Sequence, residues 1–275
     1  PVNKLHFILS VNKPNFAPHP GQFAQGKQSL EEEIFDISRN GFRWIEDNWL
    51  RWRTKEVKNT LLKALKAHGI SLGTFVPHHI FWDEGGINDE NRDKKDRFIE
   101  EMNNSIKLAS LFDSKYMTIV PGKRIKGTPI EEQFSKAADT IQQWIQQNDG
   151  DIVLLVEPHA PEKHPDMLIQ TIQEASEFCE LIGHENVKIL FDTFHIAAAG
   201  DDLIPSFNKH FDKIGYIQLA DYPGRNEPGT GSLPLDQLIQ QTISEKPELI
   251  IGMEHGWSDE KLTIGQKLKW YQKWL

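Results

Sequence analysis

The chain has 275 residues, 38% hydrophobic and 26% charged, with a formal net charge of −9. That is a soluble globular composition, and its length suits one large α/β barrel or two ordinary domains. The acidity excludes a nucleic-acid partner, whose phosphates need a basic face, and no apolar stretch approaches a membrane span.

LHFILSV (5–11) reads as the first strand. The segment after it, VNKPNFAPHPGQF, lacks the Gly-rich phosphate turn that a doubly wound sheet places there. Further strand-like runs are FRWIED, ISLGTFV, KYMTIV, DIVLLVE, VKILFD, IGYIQLA and ELIIGME. Between them, apolar residues recur at helical spacing. The predicted helices begin with LEEEIFDISRNG, TKEVKNTLLKALKAHG, NRDKKDRFIEEMNNSIKLASLF and PIEEQFSKAADTIQQWIQQ. They continue with HPDMLIQTIQEASEFCELIG (164–183), DLIPSFNKHF, PLDQLIQQTISE and DEKLTIGQKLKWYQKWL (259–275). Gly41, Gly69 and Gly183 stand just past helix ends, where a left-handed residue is needed. Cys179, the only cysteine, falls in EASEFCELIG as a small buried residue and can form no internal disulfide. Strand–helix alternation implies a parallel sheet, and eight units predict one (β/α)8 TIM barrel over residues 1–275. No linker or low-complexity stretch marks a second domain.

Four apolar runs end on a residue with an oxygen to offer: Glu157, Asp192, Gln218 and Glu254. In a parallel barrel these ends gather at the C-terminal face, where active sites lie. Three carboxylates and an amide held together repel one another unless a cation sits among them. Each has a plainer alternative: a cap or loop salt bridge for Glu157, a helix cap for Asp192, a backbone hydrogen bond for Gln218. His195, three residues beyond Asp192, is either a donor to an oxyanion or a loop-bonded ring. Arg225, in the loop ADYPGRNEPGTG, either clamps an anion or pairs with Asp221 or Glu227. Trp44, Trp49, Trp52, Phe81 and Trp82 form a pocket wall, a subunit contact or loop packing. His78 and His79 line the pocket, with His79 facing substrate, or extend a metal site, or are bonded within their loop. The run NDENRDKKDR is a solvated helix start.

The strings EP, LFDTFH, IQLADYPGRNEPGTG and GMEHG, with NGFRWIED and IVPGK, resemble the hydroxypyruvate isomerase branch of the xylose isomerase-like TIM barrels. The resemblance runs over most of the chain, and its most specific part is the PGR-x-EPGTG loop. It implies one divalent ion held by Glu157, Asp192, Gln218 and Glu254, with Glu157 and Glu254 also the proton-transfer pair. His195 and Arg225 match substrate-contacting positions, and Lys123 and Glu46 match recurring residues near the pocket. The implied reaction is isomerisation through a metal-bound enediolate, of hydroxypyruvate to tartronate semialdehyde or of a related small keto sugar or sugar acid. A ketose 3-epimerase or inosose-type dehydratase uses the same barrel. Phosphodiester cleavage, as in endonuclease IV, needs many histidine ligands where this chain has Gln218; four intact ligands argue against a barrel that only binds ligand, although inactive relatives can keep them. Oxygen ligation without cysteine favours Mg2+ or Mn2+, with Zn2+ or Co2+ open. Three positions depart from the branch: His255-Gly256 where a lysine soon follows the last glutamate, His159 where an Asn-type residue is usual, and the His- and aromatic-rich loop VPHHIFWDEGG. The expected partner is a small carbohydrate or hydroxy-keto acid, with a homodimer or tetramer plausible for such relatives. The expected location is the cytoplasm, or the periplasm if a presequence preceded Pro1.

Overall fold

In the computed structural model, residues 13–24, 26–148 and 150–275 are described. The strand predicted over 5–11 lies outside them. The first described strand, β1 (Asn15–Ala17), falls inside the segment expected to be a loop. The other strands follow the predicted runs: β2 (Trp44–Ile45), β3 (Ser71–Leu72), β4 (Tyr116–Ile119), β5 (Val153–Val156), β6 (Val187–Asp192), β7 (Ile214–Gln218) and β8 (Ile250–Gly252). All pairings are parallel, in the order β1-β8-β7-β6-β5-β4, with β2 beside β3. Two backbone hydrogen bonds join the ribbons into a barrel: Glu46 N–H to Pro18 O (3.2 Å) bridges β2 and β1, and Thr118 N–H to Phe75 O (3.0 Å) bridges β4 and β3.

The helices are α1 (Leu30–Arg39), α2 (Lys55–His68), α3 (Arg92–Phe112), α4 (Ile130–Gln147), α5 (Ile172–Ile182), α6 (Thr193–Ala198), α7 (Leu203–Lys209), α8 (Leu235–Glu245) and α9 (Ile264–Leu268). None in the described residues is long and apolar enough to cross a membrane. Three depart from the periodicity. Helix α5 starts at Ile172 rather than near 164, because Thr171 and Glu174 form a capping box. The apolar residues before it, Met167, Leu168 and Ile169, are buried instead as a strap, Leu168 N–H bonding Gly122 O. The C-terminal stretch breaks into α9 and a 3-10 turn over Tyr271–Lys273. Helix α6 arises directly from the end of β6.

Side chains alternate across each strand. One face, with Leu154, Val156, Ile189, Phe191, Ile217 and Ile251, packs under the helices. The other fills the barrel interior with a small cluster of Ala17, Leu155, Leu190, Tyr216 and Ile250, against which Trp44 packs. Two residues further along each strand, the alternation brings the next inward side chain to the barrel mouth.

Candidate active site

That step of two selects the site. Beyond Ala17 comes His19; beyond Trp44, Glu46; beyond Leu155, Glu157; beyond Leu190, Asp192; beyond Tyr216, Gln218. Asp192 is in register with Gln218, and Gln218 with Gly252. On β8 the residue of this layer is therefore Gly252, and the carboxylate is one step higher, at Glu254. The reason is steric. A Cβ on Gly252 would lie 2.0 Å from Glu46 Oε2, so the Glu46 side chain occupies the space a larger residue would need.

His19 Nε2 lies 2.8 Å from Glu46 Oε1 and 2.6 Å from Glu254 Oε2. Burial alone would strip this ring of its proton, but Glu254 and Glu46 hold its pKa well above the ordinary value. Asn48 Nδ2 donates to Glu254 Oε2 (3.1 Å). Burial would raise the Glu254 carboxyl, yet His19 and Arg225 pull it down to about 2. Glu157 is the opposite case: burial, then the charges of Asp192 and Glu254, push it well above the carboxylate range. Burial also raises Asp192 to about 6, although Arg225 opposes the shift. The two glutamates are thus shifted in opposite directions, Glu157 up and Glu254 down, the arrangement that separates an acid from a base.

Arg225 Nη2 lies 3.2 Å from Asp192 Oδ2 and 3.6 Å from Glu254 Oε1. It does not pair with Asp221 or Glu227. The buried Asp221 carboxylate instead accepts the backbone N–H groups of Tyr222, Gly229, Gly231 and Leu233, and Glu227 accepts from Ser258. Asp221 therefore shapes the loop that carries Arg225, whose backbone is itself left-handed (φ 54°). Asp192 is both a cap and a site residue: Oδ1 accepts the N–H of His195 (3.0 Å) while Oδ2 faces Arg225.

His195 Nδ1 accepts the N–H of Ala160 (3.2 Å). The ring is therefore neutral with its proton on Nε2, consistent with a pKa driven far down by burial. His159, also pushed down by burial, to about 3, bonds through Nδ1 to Glu157 O (3.2 Å) and turns Nε2 toward Glu157 Oε2 (3.6 Å). Among the described residues, two groups bring three ligand atoms within 4.8 Å: His19, Glu46 and Glu254, and Glu157, His159 and His195. His195 is a poor ligand in the second group, because its Nδ1 lone pair is used and its Nε2 carries hydrogen.

The four strand-end residues fit a hard cation by chemistry, although their oxygens do not close into one tight cluster. Glu157 and Glu254 line a cavity of about 360 Å3, while Asp192 and Gln218 are buried and do not line it. Gln218 Nε2 points to Glu46 Oε1 (3.3 Å), which turns its Oε1 away, buried and without a hydrogen-bond partner. An orphaned acceptor beside excess negative charge is what a divalent ion would satisfy. Arg225 lies against two of the three carboxylates, Asp192 and Glu254.

His79, His195 and Arg225 line the same cavity, with Trp49, Trp52 and Trp82. Trp44 belongs to the interior instead. Lys123 lines neither this cavity nor its neighbour; its backbone is tied to Glu84 O and Asn88. His78 is a loop histidine, donating from Nδ1 to His79 O and accepting the Val120 N–H at Nε2. His255 is bonded to Gly256 O and the Tyr271 hydroxyl. The residue that sequence reasoning missed is His19. Its signal, an inward position two beyond Ala17, needed β1 to be placed at Asn15–Ala17.

The sequence profile of the xylose isomerase-like TIM barrels matches residues 34–274. The chain belongs to this family. A Streptomyces coelicolor protein provisionally named a hydroxypyruvate isomerase is 27% identical over 183 residues, 65% of this chain and 65% of that protein. The hydroxypyruvate isomerase of Escherichia coli is 26% identical over 178 residues, 64% of this chain and 68% of its own length. The chain thus spans about two thirds of these family members. A crystal structure described as an AP endonuclease of family 2 from Brucella melitensis superposes with a TM-score of 0.80 at 18% identity, covering 95% of this chain and 99% of that one. At that identity the likeness is one of fold.

Proposed function

We propose that this protein is an isomerase that moves a proton between adjacent carbons of a small keto sugar or hydroxy-keto acid. The observation that carries the reading is the pair Glu157 and Glu254, which line one cavity from the ends of β5 and β8 with their carboxyls shifted in opposite directions. The named relatives support hydroxypyruvate as the substrate to test first, with tartronate semialdehyde as product. A divalent ion held by Glu157, Asp192, Gln218 and Glu254, with Mg2+ or Mn2+ favoured, would polarise the carbonyl and make the neighbouring C–H acidic.

The chain's own groups then divide the work. Glu254, ionised beside His19 and Arg225, takes the proton from one carbon. Glu157, whose carboxyl is pushed up by burial, delivers a proton to the next. His195 presents Nε2–H to the oxygen on which charge develops. Arg225 lines the cavity and orients the substrate's oxygens. With the two glutamates on different strands, proton return to the first carbon from the other side would give epimerisation. The same start followed by loss of a hydroxyl would give dehydration.

The test is deuterium uptake from solvent into hydroxypyruvate, ketopentoses, ketohexoses and inososes, with Mg2+, Mn2+ or Co2+ added. Glu157→Gln and Glu254→Gln should each lower the exchange rate by about 100- to 10,000-fold while the far-UV spectrum stays native. Wild-type exchange in either variant removes the proton-transfer role.

A further inference from the structure

The cavity has features that proton transfer does not use. Its volume of about 360 Å3 is about a dozen water volumes at roughly 30 Å3 each, more than a three-carbon keto acid fills. Its rim carries three indoles on two loops, Trp49 and Trp52 after β2 and Trp82 after β3, which are 65%, 45% and 38% exposed. Apolar surface of this size left in water is costly unless a ligand covers it. Trp82 is held by His164, which lines the same cavity and stacks on it at 4.8 Å between ring centres.

The charges point the same way. Arg225 is the one lysine or arginine among the described residues that line this cavity, and Asp192 and Glu254 already hold it. In the neighbouring cavity Arg53 is taken by Asp47, and Lys267 reaches the Gln22 carbonyl and lies outside the cavity with the indoles. Away from the ion proposed at the strand ends, a carboxylate at the aromatic end of this cavity would find no free lysine or arginine lining it, and burying it there costs desolvation. A sugar's C–H face, by contrast, matches the negative face of an indole.

We propose that the aromatic rim is a subsite for an uncharged keto sugar of six carbons or more, whose C–H face lies against Trp52 and Trp82 while its carbonyl end meets Glu157 and Glu254. This rests on the proton-transfer reading and narrows its substrate away from hydroxypyruvate.

The Mn2+-loaded protein is titrated with D-fructose, D-psicose and hydroxypyruvate by calorimetry and tryptophan fluorescence, alongside the deuterium assay. At least one ketohexose should bind about tenfold or more tighter than hydroxypyruvate. Trp82→Ala should weaken that sugar about tenfold and leave hydroxypyruvate within about twofold, and Trp82→Phe should recover most of the loss. Equal or tighter hydroxypyruvate binding overturns the proposal. So does unchanged sugar binding in both Trp82→Ala and Trp52→Ala, or no binding of either hexose. Tryptophan-dependent sugar binding without exchange on any substrate removes the reaction and leaves the subsite; faster exchange on hydroxypyruvate than on the hexoses does the reverse.

Discussion

At the residue scale, burial decides which histidines stay neutral. His78 is fully buried between two backbone partners and its pKa falls from the ordinary 6.5 to about 4. The unfolded chain takes up that proton near pH 6.5, and the folded ring refuses it until about pH 4. The stability tied to His78 is therefore full above pH 6.5 and drains away as pH falls through that window, by about 3 kcal/mol for a shift of this size. His78→Asn, which keeps a donor for His79 O, should show a shallower fall of Tm between pH 6.5 and 4 in calorimetry. An unchanged slope would place the acid sensitivity in other groups. Glu157, Asp192, Gln218 and Glu254 were legible in the sequence because a polar residue closing an apolar strand is conspicuous. Arg225 was legible as a site candidate, but not its partners: Asp192 and Glu254 lie on other strands, brought within reach only by the fold.

At the element scale, the loop from Asp221 to Leu233 holds its shape through one carboxylate. Four N–H groups converge on Asp221 at 2.8–3.1 Å. Asp221→Ala would leave them unpaired, at a cost of about 3 kcal/mol or more. The urea midpoint should drop accordingly, and exchange activity should fall as Arg225 loses its support. An unchanged midpoint would show that water replaces the carboxylate. Most element positions follow from periodicity and caps, as with Ser29 and Glu32 at the start of α1. The misreadings share a cause. In HPDMLIQ and in the C-terminal stretch, apolar residues are buried by loops and short turns, and their spacing alone mimics a helix.

At the scale of the whole molecule, the barrel gathers acidic groups from four strands that repel one another. Any divalent ion that binds the folded site and not the unfolded chain stabilises by mass action, about 2.7 kcal/mol at a hundredfold excess over Kd. Protein stripped with EDTA should therefore gain about 5–10 °C in Tm on saturation with Mn2+, and Asp192→Asn should lose most of that gain. A Tm indifferent to Mn2+, Mg2+ and Co2+ would remove the cation from the proposed function. By itself, the sequence determined the strand–helix alternation, the barrel it implies and the oxygen donors at the strand ends, because period and strand-end chemistry are local properties. Only the tertiary structure decided that His19 joins the mouth beside Glu46, that Arg225 lies between Asp192 and Glu254, and that Glu157 and Glu254 are shifted in opposite directions. Each depends on which charges lie within a few ångströms in a dry interior, and those distances join residues far apart in the chain.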